Sequence, residues 1–94
     1  MLLRTAIGKE IRRNRIHQGR TLRDVAKSAV VSLGYLSEIE RGVKEPSSEM
    51  LTAICAALDI TVGNLVMAAG AQLQLSARSA EVIALRPTVT VNAA

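Results

Sequence analysis

The chain has 94 residues, and its 12 Lys and Arg against 8 Asp and Glu give a formal net charge of +4. Tyr35 is its lone aromatic residue, which argues against a single-strand binder that stacks bases on rings. One cysteine (Cys55) and one histidine (His17) supply neither a disulfide nor a zinc site, so no metal or cofactor is expected and the reduced cytosol is the default compartment.

Taken in chain order, the opening residues place Arg4 early and show no apolar run of the kind a secretory signal needs. Leu3, Ile7 and Ile11 recur at i, i+4 and predict a first amphipathic helix from Leu3 to Gln18, closed by Gly19. Thr21 is placed to cap a second helix, with Asp24 three residues on as its capping-box partner. The buried stripe of that helix is Leu22, Val25, Ala26 and Ala29, and the break falls at Val30-Val31. Ser32 caps a third helix, Leu33 to Arg41, which buries Leu36 and Ile39 and stops at Gly42. Pro46 cannot continue a helix. Ser47 can cap a fourth, with Leu51, Ile54, Cys55 and Leu58 inside, and Thr61 can cap a fifth. Ile60 to Ala71 is too short to span a bilayer, so no membrane is expected as a partner.

Charge divides unevenly along these elements. Met1 to Lys44 carries ten basic residues against four acidic ones, a net of +6, whereas Glu45 to Ala94 nets −2. A basic half of this kind points to a polyanionic partner. The second and third helices, joined by the tight segment around Val30-Val31-Ser32, form a helix-turn-helix by spacing alone.

Ile7 to Leu65 resembles the helix-turn-helix domain of the XRE/Cro-repressor-like bacterial regulators. The resemblance is carried by VSLGYLSEIERG (Val31 to Gly42) and by the helix start at Pro46-Ser47. With RTLRDV and EPSSE, the wording is similar to the actinobacterial regulators of Clp protease genes. The family implies an all-α, five-helix, lambda-repressor-like domain over residues 1–61. A helical dimerisation extension over residues 62–86 and a flexible tail over residues 87–94 complete the expected layout. Its partner is double-stranded DNA, and an activator would also meet RNA polymerase.

A helix fits the DNA major groove and meets base edges near its N-terminus. With Leu36 and Ile39 facing the core, Ser32, Leu33, Gly34, Ser37 and Glu38 are left on the outer face. The family pattern assigns base reading to Leu33, Gly34 and Glu38, and a groove-edge or phosphate contact to Ser32. Glu38 could accept from cytosine N4, or could be a surface acid beside Arg41. Gly34 costs about 1 kcal/mol relative to Ala within a helix. Close approach to the groove floor would compensate for it. The set lacks bidentate readers, which points to modest specificity or to an arginine reaching in from elsewhere.

Phosphates are expected at the helix starts Thr21-Leu22-Arg23 and Ser47-Ser48, and at Arg41 and Lys44 beyond the third helix. Where the family commonly has a phosphate-binding Gln, this chain has Leu22, leaving that contact to backbone N–H or to Arg23. The Tyr35 hydroxyl could donate to a phosphate, or its ring could simply pack on the second helix. The resemblance further implies a mostly buried Arg15–Glu40 ion pair that aligns the groove helix. One departure concerns the turn, where the family usually has Gly and this chain has Val30. Either the turn is reshaped or Val30 is strained at positive φ.

Beyond Thr61, Val62, Leu65, Val66, Ala69 and Leu73 form one apolar stripe and Met67, Ala71 and Leu75 a second. One stripe can close the core, and the other needs a partner. The expectation is a homodimer through this helix and Ala80 to Leu85, with Val66, Met67, Leu73, Leu75, Val82 and Ile83 in the interface and Pro87 ending the helix. The Ala-Ala terminus resembles C-terminal signals read by Clp-type proteases, which would make that protease a partner; a frayed end is the alternative. The competing function is an antitoxin-like protein whose C-terminal surface silences a partner. An enzyme is not expected, for want of paired carboxylates, a Gly-rich phosphate loop or a nucleophile–base set.

Overall fold

The computed structural model describes the backbone of residues 1–93 and the side chains of residues 1–79. Five helices follow one another: α1 (Leu3–His17), α2 (Leu22–Ala29), α3 (Leu33–Glu40), α4 (Ser48–Ala57) and α5 (Val62–Ala93). Among the described residues there is no strand. Four helices start on a hydroxyl that satisfies an otherwise unpaired N–H. Thr21, Ser32, Ser47 and Thr61 accept from the amides of Asp24, Tyr35, Met50 and Asn64 at 3.0, 3.1, 3.2 and 3.0 Å. The Asp24 carboxylate is drawn instead to Arg20 Nε, 2.9 Å away.

The apolar stripes of all five helices meet in one core built around Ile11, Val25, Leu36, Ile39, Ile54, Leu58 and Leu65. Cys55 lies in the same core, and burial pushes its thiol pKa up, which disfavours the reactive thiolate.

α3 is fixed against α1 by contacts of three kinds. Arg15 grips Glu40 with two hydrogen bonds, Nε to Oε2 at 2.7 Å and Nη2 to Oε1 at 2.9 Å, and donates from Nη1 to the Arg20 carbonyl at 3.0 Å. Hydrogen bonding to Glu40 holds the Arg15 pKa above its ordinary value despite desolvation. On the Arg15 side the stabilisation is therefore fully present below the ordinary guanidinium pKa and is lost only in strong alkali. Removing one partner of such a buried pair costs about 3–5 kcal/mol. Gly8 lets the backbones touch, since a Cβ there would collide with the Ile39 carbonyl and lie 2.8 Å from that of Glu40. Arg4 Nε donates to the Gly42 carbonyl at 3.2 Å, where Gly42 adopts φ 75°.

The end of α4 is held in turn from the α1–α2 loop. Gln18 Nε2 donates to the Leu58 carbonyl at 2.7 Å, and Arg20 Nη1 donates to that of Ala57. α5 packs back on α1, where Gln72 Nε2 donates to the buried Glu10 carboxylate, which also accepts from Arg13 at 2.8 Å.

Along α5, Leu65 and Ala69 are buried and Val62 and Leu73 pack on the core, so Leu73 serves the monomer. Val66 joins Met67 and Leu75 on the exposed side, a different division from the two stripes read in the sequence. The side chains of Val82 and Ile83 lie outside the described residues. α5 also runs through Pro87 to Ala93, where a stop at Pro87 and a flexible tail were expected. Proline's fixed φ is itself helical, so the ring removes one hydrogen bond and costs about 3 kcal/mol without forbidding the helix. Among the described residues no single helix is long and apolar enough to cross a membrane.

The turn resolves in favour of strain. Val30 sits at φ 57°, ψ 47°, the left-handed conformation that glycine would take there, and the residue is 88% exposed. Its amide and that of Val31 return to the carbonyls of Lys27 and Ala26 at 3.2 and 3.0 Å, so the helix closure is the ordinary glycine one made with valine. Val30→Gly should therefore raise stability by about 1 kcal/mol, the relief of strain exceeding glycine's entropy cost. Urea unfolding of the two proteins measures it, and a less stable variant would show that Val30 is not strained.

Candidate nucleic-acid interface

α3 is short and amphipathic in a way that settles which side chains can meet a ligand. Leu36, Ile39 and Glu40 are buried. Ser32, Leu33 and Gly34 are exposed at its N-terminal end, and Ser37 and Glu38 are half-buried one turn later. A Cβ at Gly34 would meet nothing within 4 Å, so the protein itself makes no demand for glycine there.

The starts of α2 and α4 expose Thr21, Arg23, Ser47 and Ser48, with Leu22 half-buried between them. The Thr21 and Ser47 oxygens each accept from their own helix, which leaves the hydroxyl proton to give to an outside acceptor. Tyr35 is half-buried with its ring packed against the core, and Lys44 Nζ lies 5.8 Å from the ring centre. Lys44 also reaches Glu38, Nζ to Oε2 at 3.5 Å, so the partner of Glu38 is Lys44 rather than Arg41. Arg41 is exposed at the C-terminal end of α3.

Five of the ten basic residues in the first half are engaged within the protein: Arg4, Arg13, Arg15, Arg20 and Lys44. Lys9, Arg12, Arg23, Lys27 and Arg41 are exposed and enter none of the ion pairs among the described residues. Sequence reasoning assigned a ligand-facing role to Arg23 and Arg41 alone of these. For Lys9 and Arg12, their i, i+3 spacing on the polar side of α1 was the available signal. For the Glu38–Lys44 contact there was none, because a loop separates the two. No cluster of His, Cys, Asp and Glu able to hold a metal occurs among the described residues.

This geometry, two helices joined by a tight turn with a weakly charged face on the second, matches known proteins. Residues 11–65 fit the family model described as helix-turn-helix. The chain is 53% identical over 79 residues to the transcriptional regulator ClgR of Mycobacterium tuberculosis, covering 84% of this chain and 70% of that protein. It is 38% identical over 61 residues to the HTH-type transcriptional regulator SinR of Bacillus subtilis, covering 64% and 55%. Among solved structures, the clp gene regulator ClgR from Corynebacterium glutamicum superposes with a TM-score of 0.84 at 41% identity, covering 90% of each chain. The chain therefore belongs to the helix-turn-helix family of DNA-binding transcriptional regulators.

Proposed function

We propose that the chain is a sequence-specific regulator that binds a pseudo-palindromic duplex as a homodimer and activates Clp protease genes from within the bacterial cytoplasm. The observation that carries the reading is the outer face of α3. On α3, Ser32, Leu33, Gly34, Ser37 and one carboxylate, Glu38, are accessible, the helix starts at Thr21 and Ser47 are exposed, and Arg23 and Arg41 enter none of the ion pairs among the described residues. The target genes follow from the similarity to the Corynebacterium relative, a clp gene regulator. Activation, which needs contact with RNA polymerase, rests on the resemblance alone.

In this reading, phosphates are held by Thr21, Arg23, Arg41, Ser47, Ser48, the Tyr35 hydroxyl and the backbone at Leu22. Lys44 also moves to a phosphate and releases Glu38. A freed carboxylate in the groove is repelled by phosphate unless a base amino donor, cytosine N4 above all, offsets the repulsion, so Glu38 selects by excluding wrong sequences. Ser32, Leu33, Gly34 and Ser37 complete the base-facing set, with Gly34 admitting the groove edge to the backbone. Exposed Val66, Met67 and Leu75 cover one another across the dimer axis, setting two α3 helices about 34 Å apart.

Selection of bound sequences from random duplex DNA tests the reading directly, and recovery of no preferred sequence would overturn it. Glu38→Ala should flatten the recovered base preference at one position per half-site while leaving binding to random duplex equal or tighter. A uniform loss across all sequences would remove Glu38 from base reading. Gly34→Ala should stabilise the fold by about 1 kcal/mol and yet weaken binding to the selected site. Unchanged affinity in titration would show that the groove does not approach the backbone there. Sedimentation should give a dimer mass that falls on dilution or on Met67→Glu, and a concentration-independent monomer would exclude the dimer.

A further inference from the structure

The geometry points to a phosphate-holding groove between α1 and α3, in which Lys9 and Arg12, together with Arg41, grip the backbone of the duplex that α3 reads. The inference rests on the DNA-binding reading and extends its footprint onto α1. The groove encloses ≈ 490 Å³, with Lys9 and Arg12 on its α1 wall, Ser37 and Arg41 on its α3 wall, and Leu22 at the start of α2 between them.

Two of its features fix the sign of what it would hold. Arg15 and Glu40 also line it, but each neutralises the other through the bonds at 2.7 and 2.9 Å. The charge left over is that of Lys9, Arg12 and Arg41, which enter none of the ion pairs among the described residues. Leu22 brings no side-chain donor to the wall it forms, so an anion there must be met by cations on the neighbouring helices.

Continuity fixes the occupant. Ser37 belongs both to this groove and to the outer face of α3, and Arg41 follows directly at the end of that helix, so a duplex seated on α3 carries a phosphate strand past the mouth of the groove. Lys9 and Arg12 also border a shallower groove on the other side of α1, beside Arg13, Ile16 and His17. They thus stand on the ridge between the two grooves. From that ridge, long flexible side chains can reach a strand passing α3. Phosphate contacts of this sort position the protein without reading sequence.

The test uses the full chain and a dye-labelled duplex carrying the selected site, with affinity measured by anisotropy across a series of salt concentrations. Each lost phosphate contact lowers the slope of log K against log salt by about 0.9. Lys9→Ala and Arg12→Ala should each reduce the slope by about that amount for every copy of the domain on the duplex, with base preference unchanged. Arg12→Lys should keep the slope. Both side chains are exposed, so thermal unfolding of the variants should match the parent. Unchanged slopes in both alanine variants, with the parent still preferring its site, would overturn the groove and leave the DNA-binding reading intact. A parent that binds no duplex at all would instead remove the reading beneath it.

Discussion

Everything that α3 presents outward depends on how tightly it is held from behind, and the Arg15–Glu40 pair is the centre of that hold. Two hydrogen bonds fix the guanidinium to the carboxylate in one plane, and a third ties Arg15 to the chain entering α2. Glu40 is the last residue of α3, so the pair sets the far end of the helix in both rotation and height. Gly8 makes that hold possible, because any side chain at its position would push α1 off the carbonyls of Ile39 and Glu40. A buried ion pair is weak evidence for stability in general, and here its value is directional. It aims one helix.

The same economy governs the basic residues. A net charge of +6 over the first half reads at first as one undivided positive field, but five of the ten cations have partners within the protein, and three of these, Arg4, Arg15 and Arg20, tie separate elements together. Arg20 is the clearest case, since it spans Asp24, Ser28 and the Ala57 carbonyl, joining α2 to the end of α4. The remaining cations are exposed on α1, on α2 and at the C-terminal end of α3. A polyanion would thus be met by a reduced set of side chains around a frame that Arg4, Arg15 and Arg20 help to maintain.

Most of the fold was legible because helix boundaries here are written in short-range chemistry. Each of Thr21, Ser32, Ser47 and Thr61 caps the helix its position implied, and Gly19 and Gly42 end α1 and α3 with positive φ. The buried stripes of α2, α3 and α4 followed from apolar spacing, and the outer face of α3 followed by subtraction. What stayed hidden were contacts between residues far apart in the chain. Glu10 with Gln72, Gln18 with Leu58, and Gly8 with Ile39 pair positions whose proximity only the packing creates. Pro87 differs for another reason: it disfavours helix locally, yet its own φ is helical and α5 continues through it.

Under the proposed function, the arrangement around Glu38 would let a weakly charged face discriminate between sequences. In the free protein Lys44 partly screens this carboxylate while resting over Tyr35, so the domain approaches DNA with no unpaired negative charge on α3. An exposed pair at 3.5 Å contributes little stability, and it can be exchanged for a phosphate at small cost. The exchange changes what the carboxylate meets. Were Lys44 to go to the DNA backbone, as proposed, Glu38 would become an acceptor facing base edges, where the amino groups of cytosine and adenine offer donors and guanine and thymine would leave it desolvated. A phosphate contact that carries no sequence information would then switch on a contact that does. In such a site the neutral neighbours Ser32, Leu33, Gly34 and Ser37 need only permit close approach, and one charged residue sets which approaches succeed.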